Sequence, residues 1–150
     1  MYLEAFSRRE NIKFENINEF EEGSDKENTE QVLHLFMETE LGFMDTSSVE
    51  VQRVHWQGKK KENGPRPILA RFLRYKDCEK ILSLGRRVKD SNYKMYQDLP
   101  HEIVQRRKRL MATFKKAKAN KIAAAFSKAQ PDKLFVRGKP WPEGKILEIP

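Results

Sequence analysis

The chain of 150 residues has little of what marks secreted or membrane-spanning proteins. It contains one cysteine, Cys78, so an internal disulfide is excluded, and we interpret this thiol as a small buried side chain rather than a reactive group. A run of about 18 apolar residues, which a transmembrane helix needs, does not occur. The opening residues MYLEAFSRRE lack the basic-then-apolar pattern of a secretory leader. We therefore expect a reducing compartment and no membrane partner.

Sequence patterns of catalysis and metal binding are also missing. The histidines His34, His55 and His101 are scattered, and His101-Glu102 is not followed by a second histidine at the offset of an H-E-x-x-H helix. There is no Gly-rich phosphate loop and no nucleophile elbow. We expect no enzyme, no catalytic residue, no metal site and no cofactor.

Charge is distributed unevenly along the chain. Residues 1–50 contain 4 Lys/Arg and 13 Asp/Glu, a net charge of −9, whereas residues 51–150 contain 26 and 9, a net charge of +17. A basic block of this density indicates a polyanionic partner, most often nucleic acid, and favours that partner over a surface that is merely highly charged.

Apolar periodicity predicts the elements of residues 10–98. Strands are expected at 11–17, 49–56, 67–75 and 91–96, with helices at about 26–41 and 76–88. The first helix would be capped by Ser24 or Asp25 and would bury one apolar side, made of Val32, Leu33, Leu35, Phe36 and Leu41. The order β-α-β-β-α-β predicts a ferredoxin-like α+β domain, in which two helices cover one face of a four-stranded antiparallel sheet.

The remaining residues are predicted to form a separate small domain. Residues 99–150 contain a basic helix at 101–121 and two short strands at 122–126 and 133–138, an α/β arrangement of a helix plus a short β-hairpin. The tail KPWPEGKILEIP contains three prolines and is expected to be extended or poorly ordered. Residues 1–9 would be a separate N-terminal segment.

A β-α-β-β-α-β domain with one uncovered sheet face has the layout of the RNA-recognition motif. The stretch IKFENI fits the first signature strand of that motif except at its second position, where Lys13 replaces a base-stacking aromatic. In the third strand, placing Cys78 at the small position of the second helix puts Ile68, Ala70 and Phe72 in the core. Three other residues then face outward: Pro67, Leu69 and Arg71. Neither strand supplies an aromatic stacking platform, so recognition of bases by stacking is not expected.

The outward cations are therefore candidates for phosphate contacts, which give salt-dependent and sequence-tolerant affinity. They are Lys13, Arg66, Arg71 and Arg74. The alternative for each is an ordinary surface cation. Binding is the favoured interpretation for Arg71, and the two interpretations are balanced for the other three.

Four consecutive cations, Arg106-Arg107-Lys108-Arg109, lie inside the basic helix. Since a helix turns by about 100° per residue, they span roughly 300° of its circumference. Arg107 falls in the middle of the apolar stripe, and the other three lie on its flanks and back. Arg107 would either pair with a carboxylate such as Asp98 or open into a cleft that binds phosphate. A nuclear-import tag is a third, less favoured interpretation of the four residues.

Several segments together resemble the protein encoded by the first open reading frame of LINE-type retrotransposons. They are SRRENIKFENINE, RPILARFLRYKDCEKIL, YQDLPHEIVQRRKRL and DKLFVRGKPW, which cover roughly residues 7–142 in order. The resemblance implies an RNA-recognition motif followed by a small C-terminal domain. It also implies non-catalytic binding of single-stranded RNA and DNA, with nucleic-acid chaperone activity in a retrotransposition ribonucleoprotein. We expect this ribonucleoprotein in the cytoplasm, with an additional nuclear location as a further prediction.

The resemblance also assigns roles to individual residues. The RNA-contacting arginines of the family fall on Arg66, Arg71, Arg106 and Arg107, and its hairpin aromatic falls on Trp141. Family members normally carry a long upstream coiled coil that forms a trimer, and no heptads precede the first strand here. A homotrimer is therefore expected only if such a coil is present in the full-length protein. The alternative function is a protein-interaction module that reuses the fold without binding nucleic acid.

Overall fold

The predicted strands and helices form two groups in the computed structural model, which describes residues 1–18, 26–59, 62, 64–88 and 92–149. The helices are α1 (Tyr2–Ser7), α2 (Lys26–Thr39), α3 (Tyr75–Arg87) and α4 (His101–Ala119). The strands are β1 (Asn11–Glu15), β2 (Val51–Trp56), β3 (Ile68–Phe72), β4 (Lys94–Gln97), β5 (Ala124–Phe126), β6 (Leu134–Val136) and β7 (Lys139–Pro140). We call Arg9–Asp98 the sheet unit, and Met1–Arg8 with Leu99–Pro150 the helix unit. The expected caps Ser24 and Asp25 lie outside the described residues.

The sheet unit is built on a four-stranded antiparallel sheet with the strand order β2-β3-β1-β4. In the centre of the sheet, Ile12 of β1 lies opposite Ala70 of β3 and Gln97 of β4. Along the chain the elements follow the order β1, α2, β2, β3, α3, β4. The predicted α+β class, with an antiparallel sheet of four strands and accompanying helices, is confirmed.

One face of this sheet forms the core together with α2 and α3. Strand β3 alternates between buried and partly exposed side chains, and Ile68, Ala70 and Phe72 are all fully buried. Ile12 and Phe14 of β1 are buried in the same cluster, which also contains Leu33 of α2 and Ile81 of α3. The core predicted for the third strand is therefore confirmed.

The apolar side of α2 differs from the prediction at one residue. Val32, Leu33, Phe36 and Leu41 are buried as expected, but Leu35 is 57% exposed, and Met37 is fully buried instead. At about 100° per residue, Leu35 lies roughly 200° from Leu33, on the opposite side of the helix, whereas Met37 follows Leu33 by one turn. The expectation that Leu35 belongs to the core was wrong.

Cys78 of α3 is a buried core residue, as predicted. Its thiol donates a hydrogen bond to the carbonyl of Glu10 at 3.2 Å. Burial, together with the nearby charges of Glu10 and Asp77, raises the pKa of the thiol to about 12. Because the thiolate is the reactive form of cysteine, this side chain is inert at neutral pH.

The third strand is shorter than predicted, and α3 begins one residue earlier than expected. Strand β3 ends at Phe72, Arg74 occupies the N-cap position, and Tyr75 is already helical. The amide of Asp77 donates to the Arg74 carbonyl at 3.1 Å, and Asp77 lies in the first turn, where its charge complements the helix dipole. The last strand lies at Lys94–Gln97, slightly later than the expected 91–96.

The helix unit contains a second antiparallel sheet with the order β5-β6-β7. The predicted pair of strands is present, and β7 extends it to three. Arg137 and Gly138 both have positive φ, 53° and 76°, as in the two-residue turns that match the twist of a hairpin. This turn brings Lys139 opposite Val136 and so forms β7, a strand that the proline-rich sequence did not predict.

The C-terminal tail is also more ordered than predicted. Leu147 is buried, and the cluster around it includes Leu110 and Ala117 of α4 and Leu134 of β6. The Lys116 ammonium donates a hydrogen bond to the Leu147 carbonyl at 2.6 Å. An apolar anchor that packs on α4 thus outweighs the tendency of the prolines to leave the segment extended.

Ile81 of α3 is buried in the core of the sheet unit, so replacing it tests how much this packing contributes to stability. Replacing the fully buried Ile81 with alanine is expected to lower the free energy of unfolding by about 2–5 kcal/mol, because it leaves a cavity in the core. Urea denaturation followed by Trp56 fluorescence in a Trp141→Phe background measures this change. The control Leu35→Ala should change it by less than about 0.5 kcal/mol. Equal effects of the two substitutions would contradict the core described here.

Candidate nucleic-acid interface

The face of the sheet opposite the core carries most of the candidate binding residues. None of the side chains on this face is buried, and they alternate along each strand with the core residues. We call this surface the open sheet face. Its nine side chains are Asn11, Lys13 and Glu15 of β1, Arg53 and His55 of β2, Leu69 and Arg71 of β3, and Lys94 and Tyr96 of β4. Four of them are cations and one is a carboxylate, so the open sheet face has an excess of positive charge.

Two arginines lie directly opposite each other on this face. A register shift between Val51 and Arg53, consistent with a β-bulge at Gln52, places Arg53 opposite Arg71. The Arg71 guanidinium is oriented by a hydrogen bond from Nε to the Gln52 side-chain oxygen at 3.2 Å. Two positively charged side chains thus lie next to each other on this face of the sheet.

Lys13 lies beside this pair of arginines. It is opposite Leu69 in the β1–β3 register, and Arg71 is therefore its diagonal neighbour, at a Cβ separation of roughly 7–8 Å. Within the described part of the chain, Lys13 and Arg53 form no ion pair. The predicted outward orientation of Lys13 and Arg71 is confirmed, and the sheet brings the two residues together.

An aromatic side chain is also present on the open sheet face, on a strand to which the prediction about stacking did not apply. Tyr96 lies opposite Lys13 on β4 and is 39% exposed. Its hydroxyl donates a hydrogen bond to the Glu15 carboxylate. Burial and this hydrogen bond both raise the pKa of the phenol, so the ring stays neutral at physiological pH. Sequence reasoning excluded aromatics only on the first and third strands, and this one is on the fourth.

Arg66 and Arg74 lie outside the open sheet face. Arg66, which precedes β3, donates to the Gly58 carbonyl at 3.2 Å, and its guanidinium lies 6.0 Å from the centre of the Trp56 ring. Arg74 forms an ion pair with Glu50 at 3.1 Å. These contacts join the ends of neighbouring elements, and phosphate binding by the two arginines stays a prediction.

Four candidate binding residues of the open sheet face were missed by sequence reasoning, namely Arg53, His55, Lys94 and Tyr96. The alternation of apolar and polar residues that places Arg53 and His55 on the open sheet face is visible in VQRVHW, where they alternate with Val54 and Trp56. It is also visible in KMYQ, where Lys94 and Tyr96 alternate with the partly buried Met95. The bulge at Gln52 cannot be read from the sequence, and it is what determines the partner of Arg53.

In the helix unit, Arg107 does lie against apolar groups, as its position on the helical wheel predicts. Its Nε donates to the Pro131 carbonyl at 2.6 Å, and its guanidinium lies 4.5 Å from the centre of the Phe126 ring. Burial lowers the pKa of Arg107, an effect that the charge of Asp132 partly offsets. The carbonyl and the aromatic ring together stabilise a cation that would otherwise be costly to bury.

Arg106 is more than a flanking surface cation, which corrects the interpretation from the helical wheel. Its guanidinium forms ion pairs at 3.1 Å with Asp132, whose side chain is only 1% exposed, and with Glu102. Tyr2 of α1 donates a second hydrogen bond to the Asp132 carboxylate at 2.7 Å. This network of Tyr2, Asp132 and Arg106 ties the first helix to the rest of the helix unit.

Trp141 follows the β6–β7 hairpin, as expected, and is partly buried. Its indole nitrogen donates to the Lys145 carbonyl at 3.3 Å, and the Lys145 ammonium lies 4.5 Å from the ring centre. One ring face therefore already has a cationic partner. Arg137 and Lys139 are exposed at the hairpin turn beside it.

The environment of Arg107 leads to a first prediction for the helix unit. Arg107→Met keeps the apolar contact with Phe126 but removes the only donor described for the buried Pro131 carbonyl, so we expect a loss of about 1–3 kcal/mol in stability. Urea denaturation followed by Trp141 fluorescence in a Trp56→Phe background measures it. Lys108→Met, at an exposed neighbouring position, is the control. A stability of Arg107→Met equal to that of the control would show that the Pro131 contact contributes nothing.

The Asp132 network leads to a prediction about pH. Burial alone would raise the pKa of Asp132, but hydrogen bonds from Tyr2 and Arg106 outweigh it, so the pKa lies below the ordinary 3.8. The stabilisation by Asp132 is therefore complete above that value and is lost as the pH falls through the lower pKa of the folded state. We expect Asp132→Asn to cost about 1–3 kcal/mol at pH 7 and less at pH 3.

Urea unfolding at several pH values, followed by Trp141 fluorescence, measures this pH dependence. Glu143→Gln is a matched control, because Glu143 pairs with Arg109 at 3.5 Å with both side chains more than half exposed. A cost of Asp132→Asn that stays constant from pH 7 to pH 3 would contradict the lowered pKa.

The described residues contain no group of three or more His, Cys, Asp or Glu side chains that could hold a metal ion. Among them there is also no helix of the length and apolar character that crossing a membrane requires. When the chain is compared with protein-family models and with curated protein sequences, no match is found.

Proposed function

We propose that this protein binds single-stranded RNA and DNA through phosphate contacts, with little dependence on sequence. The observation that carries this proposal is the cluster of Arg53, Arg71 and Lys13 on the open sheet face. Guanidinium groups form charge-assisted, often bidentate hydrogen bonds with phosphate oxygens, so two adjacent arginines suit a phosphodiester. One bound phosphate could then be shared by Arg53 and Arg71.

We also propose that the sheet unit is an RNA-recognition-motif-like domain of the ferredoxin-like type. The β-α-β-β-α-β order and the strand order β2-β3-β1-β4 support this assignment, as does the packing of both helices on the buried face. In that motif the uncovered face of the sheet receives the nucleic acid. The cations on this face would therefore lie next to a bound nucleic-acid strand.

The helix unit adds further cations to the proposed function. Arg107 retains guanidinium N–H groups beyond the Nε that bonds Pro131, and a guanidinium carries five N–H donors in all. Arg106 is paired with Asp132 and Glu102, so a phosphate would have to compete with these carboxylates for it. For this reason we assign the principal phosphate contacts to the open sheet face.

The resemblance to LINE-type first-open-reading-frame proteins specifies the biological setting of this proposal. It is nucleic-acid chaperone activity in a retrotransposition ribonucleoprotein, where strands are annealed and exchanged. Phosphate contacts suit a chaperone, since they hold any strand without a preference for its bases. Linked copies in a trimer would increase the avidity of such contacts through their high effective concentration.

Salt dependence tests the phosphate mechanism directly. For single strands, log K against log salt has a slope of about −0.7 per neutralised phosphate. The double variant Arg53→Ala/Arg71→Ala is expected to bind at least about tenfold more weakly, since a charge-assisted hydrogen bond is worth about 1.5–3 kcal/mol. Its slope should also be shallower by about 0.7 for each phosphate that the variant no longer neutralises. Fluorescence anisotropy with a mixed-sequence single-stranded oligonucleotide measures both quantities.

The matched control is Arg86→Ala/Arg87→Ala, which removes two exposed arginines from the last turn of α3. This control should change the affinity and the slope much less. If both double variants lowered the affinity equally, the binding would follow net charge and not the open sheet face. A wild-type affinity that stayed constant from about 50 to 200 mM salt would contradict the phosphate mechanism itself.

A protein-interaction module is the second candidate, and the exposed face of α2 favours it. Leu35 is 57% exposed there, between Glu30 and Glu38 on the same surface of the helix. A basic partner with an apolar contact residue would fit this surface. Retention of the wild-type affinity for oligonucleotides by Arg53→Ala/Arg71→Ala, together with weaker binding of a protein partner by Leu35→Ala, would favour this candidate.

A further inference from the structure

Tyr96 is the exposed aromatic residue of the open sheet face, and its surroundings suit a flat ligand. It occupies an outward position on β4, directly opposite Lys13 on β1. The side chain is 39% exposed, and its orientation is restricted by the hydrogen bond that its hydroxyl donates to the Glu15 carboxylate. Glu15 is two residues along β1 from Lys13, which makes it a diagonal neighbour of Tyr96.

This diagonal hydrogen bond has a geometric consequence. To reach Glu15, the Tyr96 ring must lean along the sheet instead of pointing straight into solvent. A tyrosine side chain has only two rotatable χ angles, and here the hydroxyl contact restricts both before any ligand is bound. The ring is thus held in place over the sheet while part of its surface stays accessible.

The charges around the ring determine which part of a nucleotide suits it. Lys13 lies opposite the ring and attracts a phosphate, and Glu15 beside the hydroxyl lies opposite Lys94, whose charge offsets that of the carboxylate. Arg53 and Arg71 lie further along the face, towards β2. A strand that places its phosphates on these cations would therefore present a base, and not a phosphate, to Tyr96.

We propose that Tyr96 is a stacking site for an unpaired nucleobase, with Lys13 contacting an adjacent phosphate. This inference rests on the proposed function, and it adds base stacking to a surface that otherwise offers only phosphate contacts. Stacking tolerates all four bases, since each has an aromatic face, so the site increases affinity without adding sequence specificity. It also restricts the ligand to single strands, because bases in a duplex are already stacked on each other.

The alternative is that Tyr96 and Glu15 form a cross-strand pair that only stabilises the sheet. Three substitutions separate the two roles. Tyr96→Phe keeps the ring and removes the hydroxyl bond, Tyr96→Leu keeps apolar bulk without a ring, and Tyr96→Ala removes both. A stacking site requires a ring, whereas a stabilising pair requires the hydroxyl.

The test measures the affinity of each variant for a fluorescein-labelled mixed-sequence single-stranded DNA by anisotropy at several salt concentrations. We expect Tyr96→Ala and Tyr96→Leu to bind about 5- to 140-fold more weakly, with an unchanged salt slope because the cations that neutralise phosphates are all retained. Tyr96→Phe keeps the ring but loses the hydroxyl bond that holds it, so it should bind more weakly than the wild type and more tightly than Tyr96→Leu. The control Phe6→Ala, at an exposed aromatic residue of α1, should leave the affinity unchanged.

A second readout does not depend on the folding of the alanine variant. A 2-aminopurine base in the single strand is quenched when it stacks, and this quenching should occur with wild-type protein and with Tyr96→Phe but not with Tyr96→Leu. Affinities of Tyr96→Leu and wild type within twofold, with equal quenching, would overturn the inference. If Arg53→Ala/Arg71→Ala still weakened binding in that case, the proposed function would stand. Failure of the wild type to bind any single strand would overturn both.

Discussion

Burial of one face of the four-stranded sheet is the constraint on which the rest of the sheet unit depends. Ile12 and Phe14 of β1 and Ile68, Ala70 and Phe72 of β3 are buried to 1% exposure or less. Because side chains alternate with a period of two, a slip of one residue would move this whole apolar set into solvent. The register is therefore strongly specified, and with it the position of every cation on the opposite face.

The helix unit places cationic side chains next to its apolar core and stabilises them there by specific contacts. Arg107 lies against Phe126 and donates to the Pro131 carbonyl, and Arg106 pairs with the buried Asp132. Each partner comes from the segment between β5 and β6 or its borders, more than 15 residues away in sequence. The run of four cations in α4 is thus divided by packing into two residues that stabilise the unit and two that remain exposed.

Periodicity predicted what depends on local spacing. The order of elements in the sheet unit, the buried alternation in β3 and the apolar surroundings of Arg107 all follow from where apolar residues recur. Long-range contacts could not be predicted in this way. The partner of Arg106 is Asp132, 26 residues away, and the bulge that sets Arg53 against Arg71 depends on how two strands pair. Strand β7 was missed because its two-residue turn and the buried Leu147 outweigh the composition of the tail.

The central claim is that single-stranded nucleic acid binds the open sheet face. Amide chemical-shift mapping during titration with a short single-stranded RNA tests it most directly, because it reports on every strand at once. Binding to this face should produce the largest changes at Lys13, Arg53, Arg71 and Tyr96, which lie on four different strands of one sheet. Changes confined to the exposed face of α2, or no changes in the sheet at saturating RNA, would contradict it.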